Sequence, residues 1–302
     1  MSLDVPEIDR LIECDAANIA ECKRLLSEVS PSILEAINDA VVLYATVNRN
    51  YGQSVEEIGH FDEIHRLLDE RGLESDAELI PVANSDPEVK GVLDRFRDRD
   101  LRGAILVRIG VLSSQLFADL FRIRMTAPYA YLRVQVESVA LLEIMTGDPS
   151  ISVEWSDVGT DDRKGREFFN KYKSKVFANL ERRGLKTVYD MASGIAVHSR
   201  FSGLALAATF AHRSENGRWE RSTEVRPQEF DPDDPLPFLM FCVYALRTQL
   251  LILKALVEVV PELNDPILRN ERVPRLGTIL DAVVEDVKRF DPRKGADPSN
   301  AA

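Results

Sequence analysis

The sequence is poor in the residues that link a fold covalently or through metal ions. Its 302 residues include three cysteines, Cys14, Cys22 and Cys242. An odd number of thiols leaves no complete disulfide set, and their spacing is not that of a metal site. We therefore expect reduced thiols in a cytoplasmic protein with no metal and no other cofactor. A chain of this length can bury a stabilising core without such links.

The glycine and serine motifs of the familiar hydrolases are missing as well. The 15 glycines form neither a phosphate-binding loop nor a Gly-x-Ser-x-Gly elbow. Histidine is scarce, with four residues, and the one Glu-x-x-His half-motif, at Glu57 and His60, has no second copy. A di-iron site in a helical bundle needs two such copies. These absences disfavour nucleotide hydrolases, serine hydrolases and di-iron proteins.

Basic residues are outnumbered, since 38 lysines and arginines face 50 acidic residues and give a net charge of −12. Such a charge opposes general binding to nucleic acid or to an anionic membrane. The first residues, MSLDVPEIDRLIE, are acidic where an export signal would be basic and then apolar. We therefore expect no export signal.

One apolar run, at 236–260, is long enough to span a membrane. Its charged residues Arg247, Lys254 and Glu258 recur at steps of seven and four, which places them on one face of a helix. We expect a core helix with one solvent-exposed edge, and no membrane partner.

Helical periodicity dominates the chain, and one segment is unusually apolar. Residues 129–145, YAYLRVQVESVALLEIM, are apolar on nearly every side of a helix and so must be packed on nearly every side. We predict a mainly α protein, a multi-helix bundle around this buried central helix. Residues 203–226 alternate large and polar side chains around Ser-Glu-Asn-Gly, which favours one β-hairpin. The alanines of the first arm would also suit a helix.

The predicted organisation is a single helical domain at 1–290, followed by a disordered tail at 291–302. Alternatively, the helices within 6–72 form a semi-independent subdomain of this domain. Four local features are also predicted: a helix stop at 50–52, a capped helix from Ser54 to Gly72, a loop at 150–159, and an exposed, charge-alternating start to the helix that begins at Pro87.

Arg133 and Glu137 form the charged pair of the central segment, one helical turn apart. An internal charge is tolerated when it is paired. A later segment rich in small residues carries Tyr189, Ser193 and His198. If the two helices meet, an arginine, a carboxylate and an imidazole share one site, which suffices for acid–base chemistry. Arg133, Glu137 and His198 are therefore candidate catalytic residues, and Tyr189 and Ser193 are candidate binding residues.

The same residues also allow a structural interpretation, which is the commoner situation. Arg133 and Glu137 can form a buried ion pair that has no function, and His198 can be a hydrogen-bonded helix end. If both charges were fully buried, Glu137→Ala would cost about 3–5 kcal/mol of stability. The sequence leaves the site and the structural pair as open alternatives.

The segments YLRVQVESVALL and YDMASGIAVHSR resemble the paired motifs of uncharacterised, mainly bacterial helical proteins. That pattern is an arginine and a glutamate four apart, then Tyr-x-x-x-Ser and a histidine, which here match Arg133, Glu137, Tyr189, Ser193 and His198. The resemblance covers about the middle third of the chain. It implies a helical fold and, for some relatives, a role in defence against foreign nucleic acid through kinship with small helical ribonucleases. Those ribonucleases carry an arginine four to six residues before a histidine, a spacing that is missing here, so nuclease activity does not follow.

Basic residues are concentrated at 163–186, where nine lysines and arginines accompany two glutamates. A basic helix with aromatic residues is typical of a nucleic-acid or acidic-partner surface. Lys171 and Lys175 are candidate binding residues on it. The aromatic residues fall on the apolar stripe, however, so the favoured interpretation is a solvated face.

Two functions follow as hypotheses. The first is a soluble helical protein that binds an unidentified protein or small molecule, in a bacterial defence or stress system, alone or as an oligomer. The second is a ribonuclease-like enzyme that acts on nucleic acid through Arg133, Glu137 and His198.

Overall fold

The computed structural model describes residues 6–57, 60–159, 161–194, 209–215, 218–224, 235–263, 267 and 269–289. These residues are mainly helical, which confirms the prediction of a mainly α protein. His198 and the predicted tail at 291–302 lie outside the described residues.

In chain order, the α-helices of the described residues are α1 (Pro6–Val29), α2 (Pro31–Glu57), α3 (His60–Arg71), α4 (Asp76–Val82), α5 (Pro87–Phe121), α6 (Thr126–Gly147), α7 (Ser150–Val158), α8 (Asp162–Arg182), α9 (Lys186–Ala192), α10 (Leu236–Val259) and α11 (Arg272–Arg289). A short 3₁₀ helix, Pro261–Leu263, follows α10.

Two strands lie within the segment 203–226. They are β1 (Thr209–Glu215) and β2 (Arg218–Glu224), and they pair antiparallel, with Thr209 opposite Glu224 and Glu215 opposite Arg218. Residues 216–217 between them are outside the described residues.

The predicted helix stop at 50–52 is wrong, because α2 continues through Gly52 to Glu57. Tyr51 is 4% exposed, and its hydroxyl donates a hydrogen bond to the carbonyl of Arg99 in α5 at 2.9 Å. A glycine inside a helix costs about 1 kcal/mol, and burial of a large side chain outweighs it. Ser54 therefore lies within α2 rather than at a helix start. The next helix, α3, ends before Gly72, as predicted.

The predicted loop at 150–159 is also wrong, because Ser150–Val158 forms the helix α7. The Asp148 carboxylate accepts hydrogen bonds from the backbone N–H and the hydroxyl of Ser150, which favours a helix start. Ile151 is buried, and Trp155 packs on Phe168 of α8 with ring centroids 4.6 Å apart. A nine-residue helix is too short for its sequence to show clear periodicity.

The start of α5 is not the exposed projection that the sequence predicts. Val89 and Val92 are buried against Ile64 and Leu67 of α3 and Leu79 of α4, in a small apolar cluster of their own. Farther along α5, Asp98 is 5% and Arg102 is 9% exposed. The sequence does not indicate this buried face of α5, because only a few apolar residues lie between the alternating charges.

Helix α6 contributes to the main core, the larger of two buried apolar clusters. Its side chains Leu132, Val136, Val139 and Leu142 are fully buried, and the helix packs against α5, α8, α9 and α10. Buried residues of α1 and α2 belong to this same core, whereas α3 and α4 belong to the smaller cluster. The domain boundaries remain predictions.

Two glutamines are buried where α6 meets α10. Gln135 and Gln249 are both 0% exposed, and the side-chain amide of Gln249 donates to the side-chain oxygen of Gln135 at 2.8 Å. Gln135 donates to the carbonyl of Ile109 in α5, and the Tyr44 hydroxyl of α2 donates to the backbone carbonyl of Gln249, both at 3.0 Å. Since buried amides need hydrogen-bond partners, these bonds fix four helices relative to one another.

A buried carboxylate joins α2 to the last described helix. Asp39 is completely buried and accepts hydrogen bonds from Arg272 at 2.5 Å and from Arg275 at 2.6 Å, both in α11. Two guanidinium groups compensate the desolvation of one carboxylate, so α11 is held in a single position on α2.

Two described helices, α5 and α10, are long and apolar enough to cross a membrane by length and composition. Half of the apolar window of α5 and 67% of that of α10 are buried inside the structure. In α10, Arg247, Lys254 and Glu258 are exposed. Core helices of globular proteins pass the same test, so this is weak support for a membrane span.

The two core glutamines should be energetically coupled. The loss of stability on replacing both should be smaller than the sum of the two single losses. We expect Gln249→Leu to lower the free energy of unfolding by about 2 kcal/mol, because it leaves the buried side-chain oxygen of Gln135 without its hydrogen-bond donor. The double variant Gln135→Leu/Gln249→Leu should recover about 1 kcal/mol of the summed single losses. Urea denaturation of the wild type, the two single variants and the double variant measures the coupling. Strictly additive losses would show that the two side chains do not interact.

Candidate functional site

Arg133 and Glu137 lie one turn apart on α6, and both are only partly buried. The Arg133 Nε donates to the Glu137 Oε1 at 3.3 Å, and each side chain is 24% exposed. The pair therefore lies at the edge of the core, where solvent reaches both charges, rather than in its centre.

Tyr189 of α9 contacts this pair. The guanidinium carbon of Arg133 lies 5.4 Å from the centroid of the Tyr189 ring, within cation–π range. Phe177 of α8 also packs against Tyr189, with ring centroids 5.3 Å apart and an edge-on geometry. Helix α8 thus supports α9, and α9 carries Tyr189 to the charged pair on α6.

The surroundings of Glu137 disfavour its ionised form. Burial raises the pKa of the Glu137 carboxyl above its ordinary value of 4.5, and the charge and hydrogen bond of Arg133, a hydrogen bond from Tyr189 and the charge of Arg108 offset this only in part. Arg108 comes from α5, so three helices contribute to the electrostatics of one carboxyl group.

Ser193 lies at the end of α9, where Ser193 and Gly194 take a π-helical turn. The serine is 8% exposed, and its buried hydroxyl has no hydrogen-bond partner among the described residues. π-Turns are rare and occur frequently at functional sites. We give the name α6–α9 cluster to Arg133, Glu137 and Tyr189, together with Ser193, which follows Tyr189 by four residues.

Lys171 and Lys175 lie on the other side of α8 from Tyr189. The Lys171 Nζ pairs with Glu154 of α7 at 2.7 Å, and both lysines flank the Tyr172 ring. Two different lysines approach the cluster. Lys186 lies over Phe177 at 5.4 Å and over Tyr189 at 5.9 Å, and Lys173 lies over Phe177 at 5.6 Å.

Three further neighbours of the site, Arg108, Lys173 and Lys186, are not predicted from the sequence. In the sequence, Arg108 is only a charged residue in the apolar second half of α5. The two lysines were part of the basic run, but the charge count alone did not show which side of α8 faces α9.

His198, the third candidate catalytic residue, is outside the described residues, so its position relative to Glu137 stays a prediction. Within the part of the chain that the structure describes, no group of three or more histidine, cysteine, aspartate or glutamate side chains could hold a metal ion. His65, near the Glu57 and His60 half-motif, is exposed on α3.

Comparison of the chain with protein-family models, curated proteins and solved structures found no match. The resemblance to bacterial helical proteins therefore rests on the motif residues alone.

The α6–α9 cluster can donate and accept hydrogen bonds at one place. Arg133 supplies a permanent cation, Glu137 a carboxyl that binds its proton more tightly than usual, and Tyr189 an aromatic face. Such a combination suits recognition of a polar ligand, and a carboxyl with a raised pKa can also transfer protons.

The partial exposure of the pair predicts a small stability effect. We expect Glu137→Ala to lower the free energy of unfolding by about 1 kcal/mol, because solvent hydrates Arg133 when its partner is lost. The matched control is Glu167→Ala, since Glu167 pairs with Arg163 at the same spacing on α8, with side chains 63% and 84% exposed. That variant should lose only about 0.3 kcal/mol. A loss of about 3 kcal/mol or more for Glu137→Ala, on the scale of a buried pair, would contradict the partial exposure.

Glu137 should also make the protein less stable as the pH rises above about 4.5. The folded carboxyl binds its proton more tightly than the unfolded one, so the folded state holds more protons between the two pKa values, and stability falls as the pH rises through that interval. Glu137→Gln removes this titration. The stability of the variant relative to wild type, measured by urea unfolding, should therefore increase as the pH rises above 4.5. A decrease in this relative stability would mean that Arg133 lowers the pKa of Glu137 by more than burial raises it.

Proposed function

We propose that this protein acts by binding and that the α6–α9 cluster is its recognition site. The placement of Glu137 carries the proposal, because its carboxylate lies beside a guanidinium group and is nevertheless disfavoured by burial. An ion pair that serves stability lowers the pKa of its carboxyl. Groups whose surroundings shift the pKa in the unfavourable direction are concentrated at functional sites.

The other members of the cluster support recognition of a polar partner. The Ser193 hydroxyl is buried and has no hydrogen-bond partner among the described residues, and Tyr189 presents a half-buried ring beside the charged pair. A few placed polar groups against aromatic and apolar side chains are the usual composition of a binding site. The partner is a small molecule or a segment of another protein, and the protein performs no catalysis of its own.

We place the protein in the cytoplasm, in a bacterial defence or stress system, as a monomer or an oligomer. Support comes from the cysteine content and from the motif resemblance of the α6 and α9 segments. We further propose that α6 is the centre of the bundle and that β1 and β2 form one hairpin. The packing of α6 against α5, α8, α9 and α10 and the antiparallel register of the strands support this arrangement.

An enzyme that acts on nucleic acid is the second candidate. The observation that favours it is a row of alternating cations and aromatic rings from α8 across α9 to α6, formed by Lys173, Phe177, Lys186, Tyr189 and Arg133. Cations and aromatic rings along one surface are typical of proteins that bind single-stranded nucleic acid. In this hypothesis Arg133, Glu137 and His198 act on the strand that the row holds.

Incubation with labelled single-stranded RNA and DNA separates the two functions. We expect wild-type protein to leave both substrates intact, because the proposed site binds without catalysis. Cleavage that is lost in folded Glu137→Gln and His198→Ala variants, and kept in the surface control Glu167→Gln, would replace the binding function with the enzyme.

Comparative capture tests recognition itself. Wild type, Glu137→Gln and Glu167→Gln are used as baits in a bacterial lysate, and bound proteins and small molecules are quantified by mass spectrometry. The proposal predicts a partner that is retained by wild type and Glu167→Gln and lost with Glu137→Gln. Identical profiles for all three baits would contradict it.

A further inference from the structure

The outer face of the second half of α5 is exposed to solvent and carries almost no charge. Within residues 104–118 the exposed positions are Ala104, Val107, Arg108, Val111, Ser114, Gln115 and Ala118. Val107 and Val111 are 49% and 48% exposed, and Arg108 is the one charged side chain among the seven. Most exposed positions of α8, by contrast, are lysine, arginine, aspartate or glutamate. Depletion of charged residues is typical of the centre of a protein–protein interface.

The spacing of this face fits a second helix. Alternating steps of three and four residues connect five of its members, which we name the α5 seam: Ala104, Val107, Val111, Ser114 and Ala118. Such steps are the heptad pattern through which one helix packs along another. The seam is about 21 Å long. Its side chains are small, so two helix axes can approach closely along it.

A lipid bilayer fits this face poorly. Half of the apolar window of α5 is buried inside the protein, and Arg108 and Gln115 are exposed beside the seam. A guanidinium and an amide are costly in hydrocarbon, which offers no hydrogen-bond partners. A protein surface can supply those partners, so we expect the seam to be covered by protein rather than by lipid.

The two ends of the α5 seam carry charges of opposite sign. Asp100 lies four residues before Ala104, and Arg122 lies four residues after Ala118, so both extend the face of the seam. Each of the two is eleven residues from Val111, the middle of the seam. The face therefore has a negative end, a neutral apolar centre and a positive end at equal distances.

Both end charges are accessible to a partner. Asp100 is exposed and takes part in no ion pair within the described residues, whereas the nearby Arg97 pairs with α7 at 3.9 Å. Arg122 is 38% exposed and lies 3.4 Å from Asp15 and 3.3 Å from Asp119. A guanidinium has several N–H donors. Arg122 can therefore bind a further carboxylate while it keeps both of these contacts.

We propose that the α5 seam binds the α5 seam of a second copy of this chain, with the two helices antiparallel about a two-fold axis at Val111. A two-fold interface uses the same patch of both copies, so the patch must be complementary to itself. The antiparallel arrangement places Asp100 of each copy beside Arg122 of the other, and Ala104 opposite Ala118. A parallel arrangement would place Asp100 against Asp100 and Arg122 against Arg122, where like charges repel.

The middle of the seam is compatible with the same symmetry. Arg108 and Ser114 are each three residues from Val111, and Gln115 is four residues from it. Arg108 of one copy therefore lies beside the hydroxyl and amide oxygens of the other, and both oxygens accept hydrogen bonds from a guanidinium. The seam borders the α6–α9 cluster through Arg108, whose charge acts on Glu137. The dimer does not depend on the proposed function of that cluster.

Sedimentation equilibrium of the full chain tests the dimer. Wild type should show a reversible monomer–dimer equilibrium with a Kd on the order of 10 µM, because one pair of helices is a small interface. Val111→Glu should weaken dimerisation about tenfold or more, because it places two carboxylates at the two-fold axis. The control is Ile80→Glu, which introduces the same charge on α4 at a side chain that is 56% exposed, and it should dimerise like wild type.

Thermal melts establish that these variants are folded, which the exposure of both positions leads us to expect. A wild type that stays monomeric at all concentrations, or equal weakening by Val111→Glu and Ile80→Glu, would overturn the proposal. A monomer that cosediments with phosphatidylcholine vesicles would also overturn it and assign the seam to a membrane.

An exchange of the end charges tests the antiparallel orientation. Asp100→Arg and Arg122→Glu should each dimerise about tenfold more weakly than wild type, because two attractive contacts become repulsive. An equimolar mixture of the two variants should regain dimers, since opposite charges then meet at both contacts. A parallel dimer pairs each residue with its own copy, so single variants that dimerise like wild type would overturn the antiparallel arrangement.

Discussion

The paired amides of Gln135 and Gln249 hold the interior of this protein in place. Both side chains are completely buried, and each hydrogen bond has a specific geometry, so sliding α6 along α10 would leave polar groups without partners. The bonds to Ile109 and from Tyr44 extend the same constraint to α5 and α2. Apolar side chains alone would allow several packings of similar energy, whereas this pair selects one.

The packing that the Gln135–Gln249 pair selects also determines which residues of α6 face outward. Successive residues of a helix are about 100° apart, so the inward position of Gln135 turns Arg133 and Glu137 toward the opposite side. There Arg133 meets Tyr189 of α9, and the ring of Tyr189 also packs against Phe177 of α8. The partial burial of Glu137 is a consequence of this layering, and the shifted pKa of its carboxyl is a consequence of the burial.

Long helices could be predicted from the sequence because their apolar residues repeat with the helical period over many turns. The features that escaped prediction depend on contacts between distant segments. Helix α2 continues through Gly52 because the neighbouring Tyr51 is buried against α5. The charge-rich start of α5 has a buried face that packs against α3, α4 and α7. The spacing of Arg133 and Glu137 correctly indicated a pair, but not its exposure. The contributions of Arg108, Lys173 and Lys186 arise from three helices that meet in space and have no local signal.

The central claim is that Glu137 occupies a partly desolvated position at which a partner binds. Carbon-13 NMR titration of the Glu137 side-chain carboxyl measures this directly in the folded protein. We expect a pKa above 4.5, the ordinary value of the group, because burial outweighs the neighbouring cations. A pKa at or below 4.5 would contradict the claim and identify Arg133 and Glu137 as an ordinary stabilising ion pair on the surface of the bundle.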